Sequence, residues 1–163
     1  MIRAAALALA ALLPAAPPAA AQDVADMTPR DGWAVLRADE GFDALVEAVR
    51  AAAPGAGLAV VTMAGPTAAA ARRGVDIPGN RVIGVFSNAH AVRLLRLSTP
   101  AMIEAPLRLY VTENADGTAT LSYVRPTERL APYAADSADP AAFAALAAEL
   151  DEALAAIAAA ATR

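Results

Sequence analysis

A single histidine, His90, stands in this chain of 163 residues, in the run Ser87-Asn-Ala-His-Ala-Val-Arg-Leu-Leu-Arg96. Imidazole is the side chain suited to proton transfer near neutrality and to metal ligation. Alone it would have to recruit carboxylates or backbone oxygens to hold a metal, because no cysteine and no second histidine exist. The simpler reading of His90 is a surface residue at a helix start, and no metal site is expected. Arg93 and Arg96, joined by Arg72 and Arg73, are candidates for gripping an anion, since a planar guanidinium matches carboxylate or phosphate. Helix faces paired with local acids are the competing account of the same arginines. Asn88 could assist an anion grip, although capping a helix explains it fully.

Tyr123 and Arg125 end a strand-like run before Pro126 and are expected to line the space between a sheet and the C-terminal helix. A buried ring with a satisfied hydroxyl is the plainer reading of the tyrosine. Glu113 and Asp116 flank a turn, and turn polarity accounts for both. The candidate ligand-binding set is therefore Asn88, His90, Arg93, Arg96, Tyr123 and Arg125, with no catalytic residue assigned.

Other chemistries are excluded by composition. All 13 basic residues are arginine, so Schiff-base catalysis has no lysine to use. Without cysteine there is no thiol nucleophile, disulfide, iron–sulfur cluster or thiolate zinc site. Ser87, Ser98, Ser122 and Ser137 lie outside any Gly-x-Ser-x-Gly elbow, and neither a phosphate loop nor a dinucleotide fingerprint occurs. No cofactor is expected. With 17 acidic residues and a formal charge of −4, the chain is also a poor match for nucleic acid.

The residues must be positioned by few elements, because the length fits one domain. Met1-Ile-Arg3, the Ala/Leu run to Leu13 and the small residues Ala19-Ala-Ala21 have the pattern of a secretory signal peptide. Cleavage is expected after Ala21. The apolar run is short for a membrane anchor, which needs roughly 20 residues. Residues 22 to 32 read as a flexible lead-in and residues 33 to 160 as a single α+β domain. Alanine supplies about 30% of the chain, which inflates apolar content without matching core area.

Strands are expected at Trp33 to Arg37, Leu58 to Thr62, Val82 to Phe86, Leu107 to Thr112 and Ala119 to Val124. The last two flank Asp116-Gly117, a hairpin signal. Asp39 is expected to cap a helix bearing Phe42, Leu45, Val46 and Val49, and a short helix should run from Pro66 to Gly74. In a helix opening at Asn88, Val92 and Leu95, with Leu94 as a further candidate, should face inward while His90, Arg93 and Arg96 lean outward. Ser98 to Pro106, and the stretch after Pro126, read as loops. Asp139-Pro140 opens a long amphipathic helix with Phe143, Leu146, Leu150, Leu154 and Ile157 on one stripe.

In this order the chain resembles the domain of unknown function 302 family. The resemblance rests on Phe42 and the first helix, on Ala68 to Ala71 with Arg72-Arg73-Gly74, and on Val82-Ile-Gly-Val-Phe-Ser-Asn88. It continues through Pro100, Ala105-Pro-Leu-Arg108, Glu113, Asp116-Gly117 and Tyr123-Val-Arg-Pro126. It implies an antiparallel curved sheet gripped by helices, a TATA-binding-protein-like architecture that implies no DNA binding. Many members carry a histidine after the second strand, where this chain has Met63-Ala-Gly65, and a proline after the asparagine, where it has Ala89.

The expectation is an exported, periplasmic or secreted binding or interaction module. It would hold an apolar or anionic small ligand between the sheet and the C-terminal helix. A homodimer joined through a strand edge or helix face, without ligand, is the alternative. An enzyme ranks third, since His90, Tyr123 and an acid would have to converge.

Overall fold

The computed structural model describes residues 24–163, so the expected signal peptide and cleavage site lie outside the described residues. Five antiparallel strands form one sheet: β1 (Trp33–Ala38), β2 (Ala59–Ala64), β3 (Asn80–Phe86), β4 (Leu107–Glu113) and β5 (Ala119–Val124). Their spatial order is β1-β5-β4-β3-β2. Among the described residues five α-helices accompany them: α1 (Phe42–Ala52), α2 (Thr67–Ala71), α3 (Asn88–Leu97), α4 (Pro126–Leu130) and α5 (Pro140–Ala161). The fold is α+β, with an open sheet and a long C-terminal helix.

Strand alternation decides which face is covered. Leu109 and Val111 of β4 sit opposite Ile83 of β3 and Leu121 of β5 respectively, and all four are fully buried. They face α1, which contributes Leu45, Val46 and Val49, and the second half of α5, which contributes Leu154 and Ile157. The first half of α5 builds a second cluster, in which Phe143, Leu146 and Leu150 meet Leu94, Ala101 and Leu130. Burying an aliphatic side chain of this size contributes about 1.5–3 kcal/mol.

Caps agree with the expected pattern at one helix and differ at two. Asp139 accepts hydrogen bonds from Ala141 and Ala142 N–H groups, as the Asp-Pro signal implies. Helix α1 is instead entered from Gly41, not Asp39, and α3 from Ser87, which leaves Asn88 inside the first turn. Neither cap makes a side-chain hydrogen bond. The two stretches read as loops are helical: a 3₁₀ turn spans Pro100–Glu104, and α4 runs on into a second one at Ala131–Asp136. Proline at the first turn of each starts these short helices where no N–H partner is needed. Asp151 of α5 then fastens α4 by accepting from both the N–H and the hydroxyl of Thr127.

Helix α3 is rotated from the expected orientation. Of the three candidates only Leu94 is buried, while Val92 and Leu95 are 40% and 48% exposed, so the inward face runs through His90, Ala91 and Leu94.

Candidate functional site

The face of the sheet turned away from α1 and α5 carries Trp33 and Val35 on β1, Ser122 and Val124 on β5, Arg108 and Tyr110 on β4, and Asn80 and Val82 on β3. These positions follow from the register, in which Trp33 pairs with Val124, Tyr110 with Ser122 and Val82 with Tyr110. Most of these residues line a groove of about 500 Å³. One end is closed by Glu104, from the Pro100–Glu104 turn, and by Arg129 of α4.

That end is a polar cluster. Oε1 of Glu104 accepts from the Tyr133 hydroxyl at 2.7 Å, and its Oε2 accepts from Nε of Arg129 at 2.5 Å. Donation to Glu104 holds the Tyr133 phenol above its ordinary 10.0, with burial acting in the same direction. Arg108 lies 3.7 Å from the same carboxylate, too far for a hydrogen bond, and its side chain is about half exposed. Further along the groove the Tyr110 hydroxyl accepts from Nδ2 of Asn80 at 2.5 Å. Two arginines against one glutamate leave the closed end positive.

The six residues singled out from the sequence fall into separate places. His90 and Arg93 converge on Glu149 of α5: Nε2 of His90 is 2.9 Å from Oε1, and Arg93 lies 2.8 Å from Oε2. Hydrogen bonds from His90 and Arg93 hold the Glu149 carboxyl below the usual carboxylate range. His90 does not lean outward as expected, because this bond turns it against α5 and leaves only 19% of its side chain exposed. Arg93 is thereby paired with a local acid, while Asn88 and Arg96 remain exposed. The four arginines considered as an anion grip supply none of the groove lining.

Tyr123 and Arg125 line a groove of about 470 Å³ at the β1 edge with Ala155, Ala158 and Ala159 of α5, and Tyr123 also lines the open-face groove. Burial raises the Tyr123 phenol above 10.0, with Arg125 opposing and Asp151 adding to the shift. Beneath the middle of α5 the buried leucines and alanines close the helix onto the sheet. Beside Leu150, between α3, β3 and the Pro100–Glu104 turn, lies a small pocket of about 30 Å³ bordered by His90 and Leu94. The turn acids are structural: Glu113 accepts from the Gly79 N–H, and Asp116 accepts from Thr118 and pairs with Arg37.

The family model described as "Domain of unknown function DUF302" matches residues 35–161. The chain belongs to the DUF302 family. Its fold is shared with a solved DUF302 structure, the uncharacterized conserved protein from Bacillus stearothermophilus. That protein is 20% identical with a TM-score of 0.70, and the superposition covers 82% of this chain and 100% of the other. A search of curated proteins found no match. The DUF302 assignment agrees with the motifs quoted above, and the groove on the open face draws on those motifs at Val82, Arg108 and Val124 while adding Trp33, Tyr110 and Arg129 from outside them.

Proposed function

We propose that this DUF302 domain is a small-molecule binding module whose site is the open-face groove, in place of the space beneath the C-terminal helix. The observation that carries this reading is the groove itself, about 500 Å³ with Trp33, Tyr110, Val82 and Val124 beside a positive end. Ligand pockets are of this size and combine apolar walls with a few directed polar groups. The alanine-floored groove at the β1 edge offers less, because alanine methyls bury little area. We further propose that the domain works in the periplasm or outside the cell, after cleavage near Ala21.

Native mass spectrometry of protein purified from the periplasm of an expression host tests both statements. The expected spectrum shows a chain beginning at Gln22 with a bound mass that disappears on denaturation. Val82→Phe, which fills the groove, should abolish the bound mass while the fold persists. A bare monomer for the wild type, or a bound mass that survives Val82→Phe, would count against the site.

A second reading, a homodimer, is favoured by β2. This edge strand exposes Val61 and Met63 and carries no charge, whereas exposed edges are ordinarily blunted by charge or proline. The bulge between Val60 and Thr62 disrupts continuous pairing and weakens the case. A bare dimer in the same spectrum would favour it.

A further inference from the structure

We infer that the groove selects a flat aromatic anion, a ring system bearing one carboxylate or a similar oxyanion, with Arg108 and Tyr110 as the residues that read the charged group. This rests on the groove being the ligand site.

The shape comes from strand spacing. Trp33 on β1 and Tyr110 on β4 are separated by β5 alone, so the strands that carry them lie about 10 Å apart. Trp33 pairs with Val124 and Tyr110 with Ser122, so the two aromatic positions are also offset by about 7 Å along the strands, and a flat system of two fused rings would lie diagonally across β5 in contact with both. Val124 and Ser122 of β5 supply the floor between the two aromatic positions, and Val82 adds apolar surface on the far side of Tyr110.

The charge comes from hydrogen-bond accounting. Each oxygen of Glu104 already accepts one hydrogen bond, from Tyr133 and from Arg129, and the positive charges of Arg129 and Arg108 beside it disfavour a cationic donor from a ligand. Arg108 keeps its guanidinium N–H groups available, since its ion pair to Glu104 is stretched to 3.7 Å. Tyr110 uses its oxygen to accept from Asn80 and so retains its own O–H for donation. Arg108 and Tyr110 stand two residues apart on one face of β4, about 7 Å between backbones, and the Tyr110 hydroxyl leans toward Asn80, opposite Thr112, so the two donors are spaced along the groove, with Arg108 at the positive end and Tyr110 beyond it. The closed end offers donors and a net positive charge, which suits an acceptor carrying negative charge and disfavours an ammonium group.

Three probes of the same shape separate the possibilities: 2-naphthoate, 2-naphthylmethanol and 2-naphthylmethylammonium, titrated calorimetrically into the full chain. The indole N–H resonance of Trp33, the single tryptophan, reports whether the event occurs in the groove. The expected result is that naphthoate binds at least about tenfold more tightly than the alcohol, with the ammonium weakest, each shifting the Trp33 resonance. Arg108→Ala should erase the preference for naphthoate over the alcohol, Arg108→Lys should restore part of it, and Tyr110→Phe should reduce it several-fold. Arg108 is half exposed, and an unchanged melting curve verifies that its variants fold. Equal affinities with Trp33 shifted would overturn the anion inference and leave the groove reading standing. An unshifted Trp33 with all three probes would overturn the inference too, and the wild-type spectrum with its Val82→Phe control would then judge the groove separately.

Discussion

Glu149 shows how a residue that attracts functional suspicion can be occupied by structure. His90 and Arg93 both hold it, and its carboxyl is depressed below the ordinary 4.5 by those hydrogen bonds. A carboxylate with a lowered folded pKa contributes stability above its unfolded value, and the contribution is lost as pH falls through the folded value. Glu149→Gln should therefore melt earlier than wild type near neutrality, by less than about 1 kcal/mol because the groups are partly exposed. Thermal melts should converge as pH is lowered below 4.5. A difference that grows on acidification would show that the contacts do not persist in solution. The orientation of the histidine was not legible in the sequence. Val92, Leu94, Leu95 and Leu97 place apolar side chains around much of α3, so periodicity alone could not choose the face that packs.

At the level of elements, the strands and the long helix were legible because alternation and helical spacing are strong in them. The short helices after Thr99 and Arg125 were hidden by their prolines, which signal a loop and a helix start equally well. The groove had a usable signal that was passed over: in β4, Arg108, Tyr110 and Thr112 alternate with Leu107, Leu109 and Val111. Alternation put these residues on the face opposite the core, but no single strand reveals that neighbouring strands add Trp33 and Val82 beside them. Close backbone approach was also invisible locally. A Cβ on Gly65 would lie 2.0 Å from the carbonyl oxygen of Asn80, a backbone atom that cannot swing away. Gly65→Ala should lower stability by at least about 1–3 kcal/mol in denaturant unfolding. Gly55→Ala, with nothing near its added methyl, serves as the control. Equal midpoints for the two variants would mean that β2 and β3 are not so closely joined.

For the molecule as a whole, the DUF302 domain divides its sheet into a packed face and an open one. Helices α1 and α5 seal the first, and among the described residues no helix is long and apolar enough to cross a membrane. Strand β1 pairs only with β5, so Trp33 must wait for Val124, about 90 residues later in the chain. At ribosomal speeds of about 5–20 residues per second, several seconds pass before that partner emerges. The nascent chain thus cannot close its sheet until synthesis is nearly finished. A chain ending at Asn114 should be cut rapidly by protease within β1, whereas the full chain should resist. Resistance in the shortened chain would mean that β1 docks without β5. Late closure would keep the polypeptide threadable through a secretion channel for most of its synthesis, a kinetic consequence of placing the first and last strands side by side.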